Sequence, residues 1–178
     1  MCRACKTKPV YEFTNQRKLC KNCFIQWFQK KFLYTIRKFG MIKRGDVVSV
    51  KGNDYGAVVL KYLFGILEEK GVIELKGKGG KVAMTSTLDN ESEEMVSELI
   101  SGDEKNLKNL KPVDGNVIKP LYLFLDEEIL LYAKLKGLKF KATREKETKI
   151  GKFINELEIK HPEIKRAVVS SYLKIYKK

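Results

Sequence analysis

The chain has 178 residues, with 36 Lys and Arg against 22 Asp and Glu, and a formal net charge of +14. A chain of this length buries about two-thirds of its unfolded surface, so it folds without needing disulfide staples. The sequence has no run of about 20 apolar residues, which excludes a membrane-spanning helix. The polar first eight residues predict no signal peptide. We therefore expect a soluble, cytoplasmic protein with no membrane partner.

The positive charge is concentrated at the two ends of the chain. Residues 1–50 hold 12 Lys and Arg against 2 acids, residues 51–138 hold 12 against 15, and residues 139–178 hold 12 against 5. Segregated charge of this size favours a polyanionic partner, and nucleic acid is the first candidate. The alternative is a lysine-rich surface that serves only solubility.

The first predicted element is a zinc ribbon. Cys2 and Cys5 form one C-x-x-C pair, and Cys20 and Cys23 form another. Each pair turns the chain so that two sulfurs reach one ion, and two pairs complete a tetrahedron. The insert alternates polar and apolar residues, which predicts a β-hairpin. We expect one structural Zn²⁺. A redox pair and an iron–sulfur cluster on the same thiolates are the alternatives, and the spacing does not separate zinc from iron.

A basic amphipathic helix follows the ribbon. Apolar residues recur at spacings of three and four from Phe24 to Phe39, which predicts a helix whose aromatic rings pack in the core. A strand over 46–50, a turn over 51–54 and a helix over 55–70 come next. Basic side chains of the ribbon and first helix are the predicted phosphate contacts. They are Arg3, Arg17, Lys18, Lys21, Lys30, Lys31, Arg37 and Lys38, which we expect to be exposed.

Two strands are predicted over 72–75 and 82–85. Only six residues separate them, whereas parallel neighbours need a crossover of about a dozen. We therefore expect an antiparallel hairpin, or only one true strand. The glycine- and lysine-rich loop between them does not have Walker spacing, so we interpret it as a joint left by a deletion.

The remaining elements complete an α/β pattern. They are a helix from Asn90 capped by Asp89, a flexible loop over 102–116, a strand over 118–124, a helix capped by Asp126 that runs to Gly137, a short strand or extended segment near Leu138, and helices over 149–160 and 162–176. This order predicts an open, mainly parallel sheet. We divide the chain into a ribbon (1–24), a linker helix (25–45), an α/β domain (46–141) and basic C-terminal helices (142–178).

Several segments, in chain order, carry a family resemblance. They are Leu19-Cys20-Lys21-Asn22-Cys23-Phe24, Thr85-Ser86-Thr87-Leu88-Asp89-Asn90-Glu91, Ser101-Gly102-Asp103, Lys119-Pro120-Leu121, and Phe153 to Glu158 with His161-Pro162. They resemble the PP-loop ATP pyrophosphatases that thiolate tRNA, especially those that make 2-thiouridine at the wobble position. The resemblance implies a PP-loop (adenine nucleotide alpha hydrolase-like) sheet, with tRNA as partner, in a shortened and degenerate member.

The pyrophosphate loop departs from the family pattern Ser-Gly-Gly-Lys-Asp-Ser. The matching residues are Lys51, Gly52, Asn53 and Asp54, of which only Gly52 and Asp54 keep their types, and Tyr55 replaces the final serine. These four residues are the candidate nucleotide-binding residues. Their departures argue against ATP and Mg²⁺ as cofactors, since the loss of glycine hinders close approach of backbone amides to phosphate.

The family's sulfur chemistry also lacks its residues. No cysteine remains once the zinc site is filled, so a sulfur carrier is missing. Asp89 matches a family aspartate near the reacting base, but its role as a helix cap is the simpler interpretation. We therefore expect an RNA-binding, non-catalytic relative of a tRNA-thiolating enzyme, paired with an active paralogue or with itself. The alternatives are an active ATP-dependent enzyme that uses an external sulfur donor, and a zinc-ribbon adaptor between proteins.

Overall fold

The computed structural model describes residues 1–140 and 148–176. In chain order its elements are β1 (Tyr11–Glu12), β2 (Lys18–Leu19), α1 (Lys21–Lys38), β3 (Asp46–Val50), α2 (Tyr55–Glu69), β4 (Ile73–Leu75), β5 (Lys81–Ala83), α3 (Leu88–Ser101), α4 (Glu104–Lys108), β6 (Val113–Asp114), β7 (Val117–Ile118), α5 (Asp126–Leu135), α6 (Lys149–Lys160) and α7 (Ile164–Ile175). The predicted boundary at residues 141–142 lies outside the described residues. Within them, no helix is both long and apolar enough to span a bilayer.

The main sheet has five strands in the order β4-β3-β5-β7-β6. All neighbouring pairs are parallel except β6 and β7, which form an antiparallel edge. The short strands β1 and β2 pair separately as the predicted hairpin. The prediction of an open, mainly parallel α/β sheet is therefore confirmed.

The predicted hairpin of the fourth and fifth strands is wrong. Both strands are parallel to β3 and lie on opposite sides of it. Their pairing is staggered, because β4 ends opposite Val48 where β5 begins. The chain therefore crosses β3 at the level where β4 ends and does not run back along the length of β4. A short loop is enough for this connection. Gly80, with φ +64°, lies against the β3 backbone, where a Cβ atom would collide with the carbonyl of Val47.

Two apolar cores hold the helices. The larger one joins the ribbon, the sheet, α1, α2 and α5, and includes Phe28 and Phe32, which are buried as predicted. The smaller one joins α3, α7 and the segment before α5, around Tyr122 and Tyr172. Burial of such aromatic side chains provides much of the apolar area that stabilises packing. The two cores meet at α1, which contributes to both.

Three local predictions in the second half of the chain are wrong. Residues 102–116 are not a loop throughout, because α4 and β6 form there. The strand at 118–124 ends at Ile118, since Pro120 cannot donate a ladder hydrogen bond and the chain turns with amide bonds to carbonyls three residues back. Asp126 is the first residue of α5, and its predicted cap position belongs to Leu125.

Candidate metal centre and nucleic-acid interface

The four cysteines come together in one cluster. One sulfur from each of Cys2, Cys5, Cys20 and Cys23 lies within 4.8 Å of all the others. The Sγ atom of Cys5 is 3.3 Å from that of Cys20 and 3.6 Å from that of Cys23. Four thiolates on one tetrahedral ion, at a metal–sulfur distance of about 2.3 Å, have sulfurs about 3.8 Å apart. The cluster therefore has the dimensions of a site for a single metal ion.

Repulsion between the sulfurs of the cluster favours a bound cation. Hydrogen bonding to Thr7 and to the Cys23 backbone lowers the pKa of the Cys20 thiol to about 6. The neighbouring thiols of Cys20 and Cys5 raise the pKa of Cys23 to about 12. Charge on one sulfur thus opposes charge on the next, and four adjacent thiolates require a bound cation to offset their repulsion.

The second cysteine pair is built into the start of α1. Cys20 is the N-cap residue of this helix and Cys23 lies in its first turn. The ribbon is held against the rest of the fold by Tyr11, whose hydroxyl donates to Glu127 at 2.7 Å, and by a hydrogen bond from Thr14 to Glu163. The start of α1 is therefore part of the cysteine cluster.

A basic groove lies beside the cluster, on the outer side of the ribbon. It is open, has a volume of about 490 Å³, and includes Arg3, Arg17 and Lys30 around the half-buried ring of Trp27. The Trp27 ring stacks within 6.5 Å of Tyr11 and meets Phe13 edge-on at 4.7 Å. We call this surface the ribbon groove. Its fixed aromatic wall and three cations suit a phosphate backbone with an adjacent base or sugar.

The other predicted phosphate contacts are more dispersed. Lys18 pairs with Glu12 at 3.0 Å, and Arg37 donates from Nε to the carbonyl of Leu33 in its own helix. Lys21 is exposed beside the cluster, and Lys38 lies at the far end of α1. The structure thus brings three of the eight predicted cations into one groove.

The prediction that Lys31 is exposed is wrong. Its ammonium group lies 2.6 Å from Glu128 and above the rings of Trp27 and Phe124. Burial lowers the pKa of Lys31 to about 8, although the carboxylate of Glu128 opposes this shift. Lys31 is therefore an internal ion-pair partner. Its position off the apolar stripe of α1 predicted exposure. The sequence spacing did not reveal its burial, because its partner Glu128 lies 97 residues away.

The degenerate pyrophosphate loop joins β3 to α2. Lys51, Gly52 and Asn53 are exposed there, and Gly52 has φ +109°. Asp54 caps α2 by accepting a hydrogen bond from the Ala57 amide at 2.7 Å. Its second carboxylate oxygen accepts from the Thr85 hydroxyl at 2.9 Å. The carboxylate of Asp54 therefore caps α2 and ties its start to the segment that follows β5.

The prediction that Asp89 caps α3 is also wrong. Thr87 is the cap, since its hydroxyl accepts from the Asn90 amide and the Asn90 side chain accepts from the Thr87 amide. Asp89 instead accepts from the Asp126 amide at 2.7 Å and from Lys165 at 2.5 Å. These contacts tie α3 to α5 and α7, which gives Asp89 a structural role.

Buried ionic residues form a part of the site that the sequence did not indicate. Arg166 of α7 lies 3.2 Å from the Glu128 carboxylate oxygen that Lys31 does not contact. Lys165 bridges Asp89 and Glu158. In both cases the partners come from different helices. Sequence spacing carries no signal for such long-range pairs.

One comparison identifies a related fold. No protein-family model matches the chain, and neither does any curated protein. Among solved structures, the U34-tRNA thiolase NcsA from Methanococcus maripaludis with its 4Fe–4S cluster is similar, at a TM-score of 0.79. The match covers 99% of this chain and 87% of that one, at 19% identity. The chain therefore has the fold of a PP-loop tRNA thiolase, and the resemblance seen in its sequence is confirmed at the level of the fold.

Proposed function

We propose that the protein binds tRNA, or another structured RNA, and does not itself transfer sulfur. The observation that carries the proposal is the ribbon groove, in which Arg3, Arg17 and Lys30 surround Trp27. The fold shared with a U34-tRNA thiolase makes tRNA the first candidate ligand. Duplex RNA hides its bases in a deep, narrow groove, so phosphate and 2′-hydroxyl contacts dominate recognition. On this proposal the protein is a cytoplasmic relative or partner of a U34-thiolating enzyme.

We propose that the cysteine cluster holds one structural Zn²⁺. The short sulfur–sulfur distances support a single ion, because the four thiolates of a 4Fe–4S cluster bind four different irons. NcsA carries such a cluster, but this chain has four cysteines in all and the ribbon uses each of them. A complete Cys₄ shell leaves no open position for a reacting water.

Two features support a non-catalytic role. All of the chain's thiols lie in the ribbon cluster, so none is left to carry a persulfide. The pyrophosphate loop has also lost its family cation, since Asn53 stands in the lysine position and the exposed Lys51 stands in a glycine position. These departures disfavour a pyrophosphate on the candidate nucleotide-binding residues Lys51 to Asp54.

The first test is tRNA binding by gel shift from low to high salt. We expect tight binding at low salt and a steep loss as salt rises, because phosphate contacts release counterions. Arg3→Ala and Lys30→Ala should each reduce the salt slope by roughly one. The matched control is Lys160→Ala, an exposed lysine at the end of α6. No tRNA binding at low salt would refute the proposal, and a stable protein partner in the same preparation would favour an adaptor.

The second test is calorimetric titration with Mg-ATP, together with an assay of tRNA-dependent pyrophosphate release. We expect no saturable heat and no pyrophosphate. Saturable binding with release of pyrophosphate would instead establish an active enzyme that takes sulfur from an external donor. Mass measurement in solution, with and without candidate paralogues, tests the expected pairing with an active paralogue or with a second copy.

A further inference from the structure

A second cavity lies between the C-terminal end of α1 and helix α7. It is open and has a volume of about 550 Å³. Its floor is apolar, formed by residues such as Leu88 and Val169, and it is bounded by cations and aromatic rings. The residues that carry the argument are Tyr34, Lys38, Lys111, Lys174, Tyr172 and Tyr176. We call this cavity the helical groove.

The charge of the helical groove is entirely positive. Lys38, Lys111 and Lys174 are exposed, and none of them forms an ion pair in the part of the chain that the structure describes. The groove also includes Lys31 and Arg166, both already held by a buried carboxylate. None of the described residues that line it is acidic. The three exposed lysines are thus available to an anionic ligand.

The aromatic rings of the groove come from both walls. Tyr34 of α1 is 53% exposed, so about half of this ring's side chain is open to solvent. The Lys38 ammonium lies over the ring, 5.7 Å from its centroid. On the opposite wall the rings of Tyr172 in α7 and of Tyr176 just after it lie 4.9 Å apart. An exposed ring with a cation over one face can stack on a nucleobase while the cation meets the phosphate.

One face of α1 contributes side chains to both the ribbon groove and the helical groove. Trp27, Lys30, Tyr34 and Lys38 follow one another at helical spacings of three and four, so they share one face. They extend along about 16 Å of the helix axis. Aromatic and basic side chains alternate over this length. One extended polyanion could therefore contact both grooves.

We propose that the helical groove binds a single-stranded segment of RNA, with bases stacked on Tyr34 and Tyr176 and phosphates on Lys38, Lys111 and Lys174. The inference rests on the proposed function and adds to it a second, chemically distinct surface. Single strands fit because their bases are free to stack, whereas those of a duplex are not. The interleaving of cations with rings favours RNA over an acidic helix of a protein partner, which would place apolar side chains along the groove.

The first experiment measures binding of fluorescein-labelled octauridine and of a 12-base-pair RNA hairpin by fluorescence anisotropy. Tyr34→Ala should weaken octauridine binding by at least about fivefold, because base stacking is lost. Tyr34→Phe keeps the ring and should bind as the unaltered protein does. Hairpin affinity should change less than twofold in both variants. Equal octauridine affinity for Tyr34→Ala and the unaltered protein would overturn the inference.

The second experiment replaces Lys38, Lys111 and Lys174 together with alanine. The salt slope for octauridine should become less steep by about two, since each phosphate contact on a single strand contributes about 0.7. The control removes three exposed lysines outside the groove, Lys61, Lys70 and Lys134, with the same change in net charge. An equal effect of both triple variants would refute a defined site and indicate only general attraction.

Three further outcomes distinguish a failure of this inference from a failure of the proposed function. If groove variants leave octauridine binding intact but abolish binding of an acidic amphipathic peptide, the groove is a protein-docking surface and the inference is wrong. If groove variants bind octauridine normally while Arg3→Ala and Lys30→Ala lose tRNA, the inference fails and the proposed function stands. If the unaltered protein binds neither RNA at low salt, the proposed function has failed.

Discussion

Lys31 of α1 and Glu128 of α5 form an ion pair at 2.6 Å, in which the carboxylate is completely buried. The other oxygen of Glu128 lies 3.2 Å from Arg166 of α7, and the Leu125 amide donates to the carboxylate at 3.1 Å. The side chain of Glu128 on α5 thus joins α1, the helix that follows the cysteine cluster, to α7. The two grooves keep their relative position because this contact fixes α1 against α7.

Replacement of Glu128 with alanine should lower the free energy of unfolding by about 3–5 kcal/mol, because Lys31 is left buried without its partner. Chemical denaturation followed by circular dichroism measures the change. Glu104→Ala is the matched control, since it breaks the exposed pair between Glu104 and Lys108 and should cost less than about 0.5 kcal/mol. Similar losses for both variants would contradict the central role of Glu128.

The purified protein should contain one zinc ion per chain by elemental analysis. Cys20→Ser should lose the ion and unfold the ribbon, because structural zinc contributes about 10–16 kcal/mol of binding free energy to small zinc-dependent folds. A strong chelator should have the same effect on the unaltered protein. Iron in place of zinc, seen by analysis and by visible absorption, would contradict the zinc assignment while preserving the site.

Gly80→Ala should destabilise the protein by about 2–4 kcal/mol. The added Cβ meets the Val47 carbonyl, and the positive φ adds backbone strain. Gly77 in the same loop has open space around it, so Gly77→Ala should stay within about 0.5 kcal/mol. Thermal unfolding of the two variants measures the loss of stability. A loss at Gly80 as small as that at Gly77 would contradict the close contact between this loop and the β3 backbone.

Stability should also depend on the protonation of Glu91. This carboxyl is buried beside Lys119, at 2.7 Å, and burial raises its pKa above the ordinary 4.5. The folded protein then keeps a proton that the unfolded chain has lost, so this residue's contribution to stability falls as the pH rises above about 4.5. Glu91→Gln should abolish this pH-dependent contribution to the free energy of unfolding, because glutamine does not ionise.

The measurement is the difference in unfolding free energy between the unaltered protein and Glu91→Gln from pH 4.5 to 7.5. It should shift steadily in favour of the variant with rising pH. Glu69→Gln, at an exposed position in α2, should show no such trend. A constant difference across this range would mean that the pKa of Glu91 is not raised in the folded protein.

Sequence patterns correctly predicted those helices and strands that are determined by residues close to them in the chain. The helix over residues 149–160 has the predicted bounds, and α2 ends within one residue of its prediction, because apolar spacing and a terminating glycine lie within the segments themselves. The cysteine pairs predicted for the same reason that their four sulfurs come together. Arg3, Arg17 and Lys30 were chosen for their charge, and the fold places them in one groove.

The features that sequence reasoning missed depend on distant partners. The stagger of β4 and β5 is visible only once both pair with β3. Burial of Lys31 depends on Glu128, and the contacts of Asp89 depend on Lys165. A polar side chain beside an apolar stripe reads as solvated until its tertiary partner is known.

Cys20 belongs to the cysteine cluster and is also the N-cap residue of α1, so on the proposed function the binding of an ion at the cluster is linked to the orientation of the ribbon groove. Linkage then requires reciprocity: the factor by which the metal tightens RNA binding equals the factor by which RNA tightens the metal. RNA in the ribbon groove should therefore protect the ion from chelators. A cell depleted of zinc would lose metal first from those copies of the protein that carry no RNA.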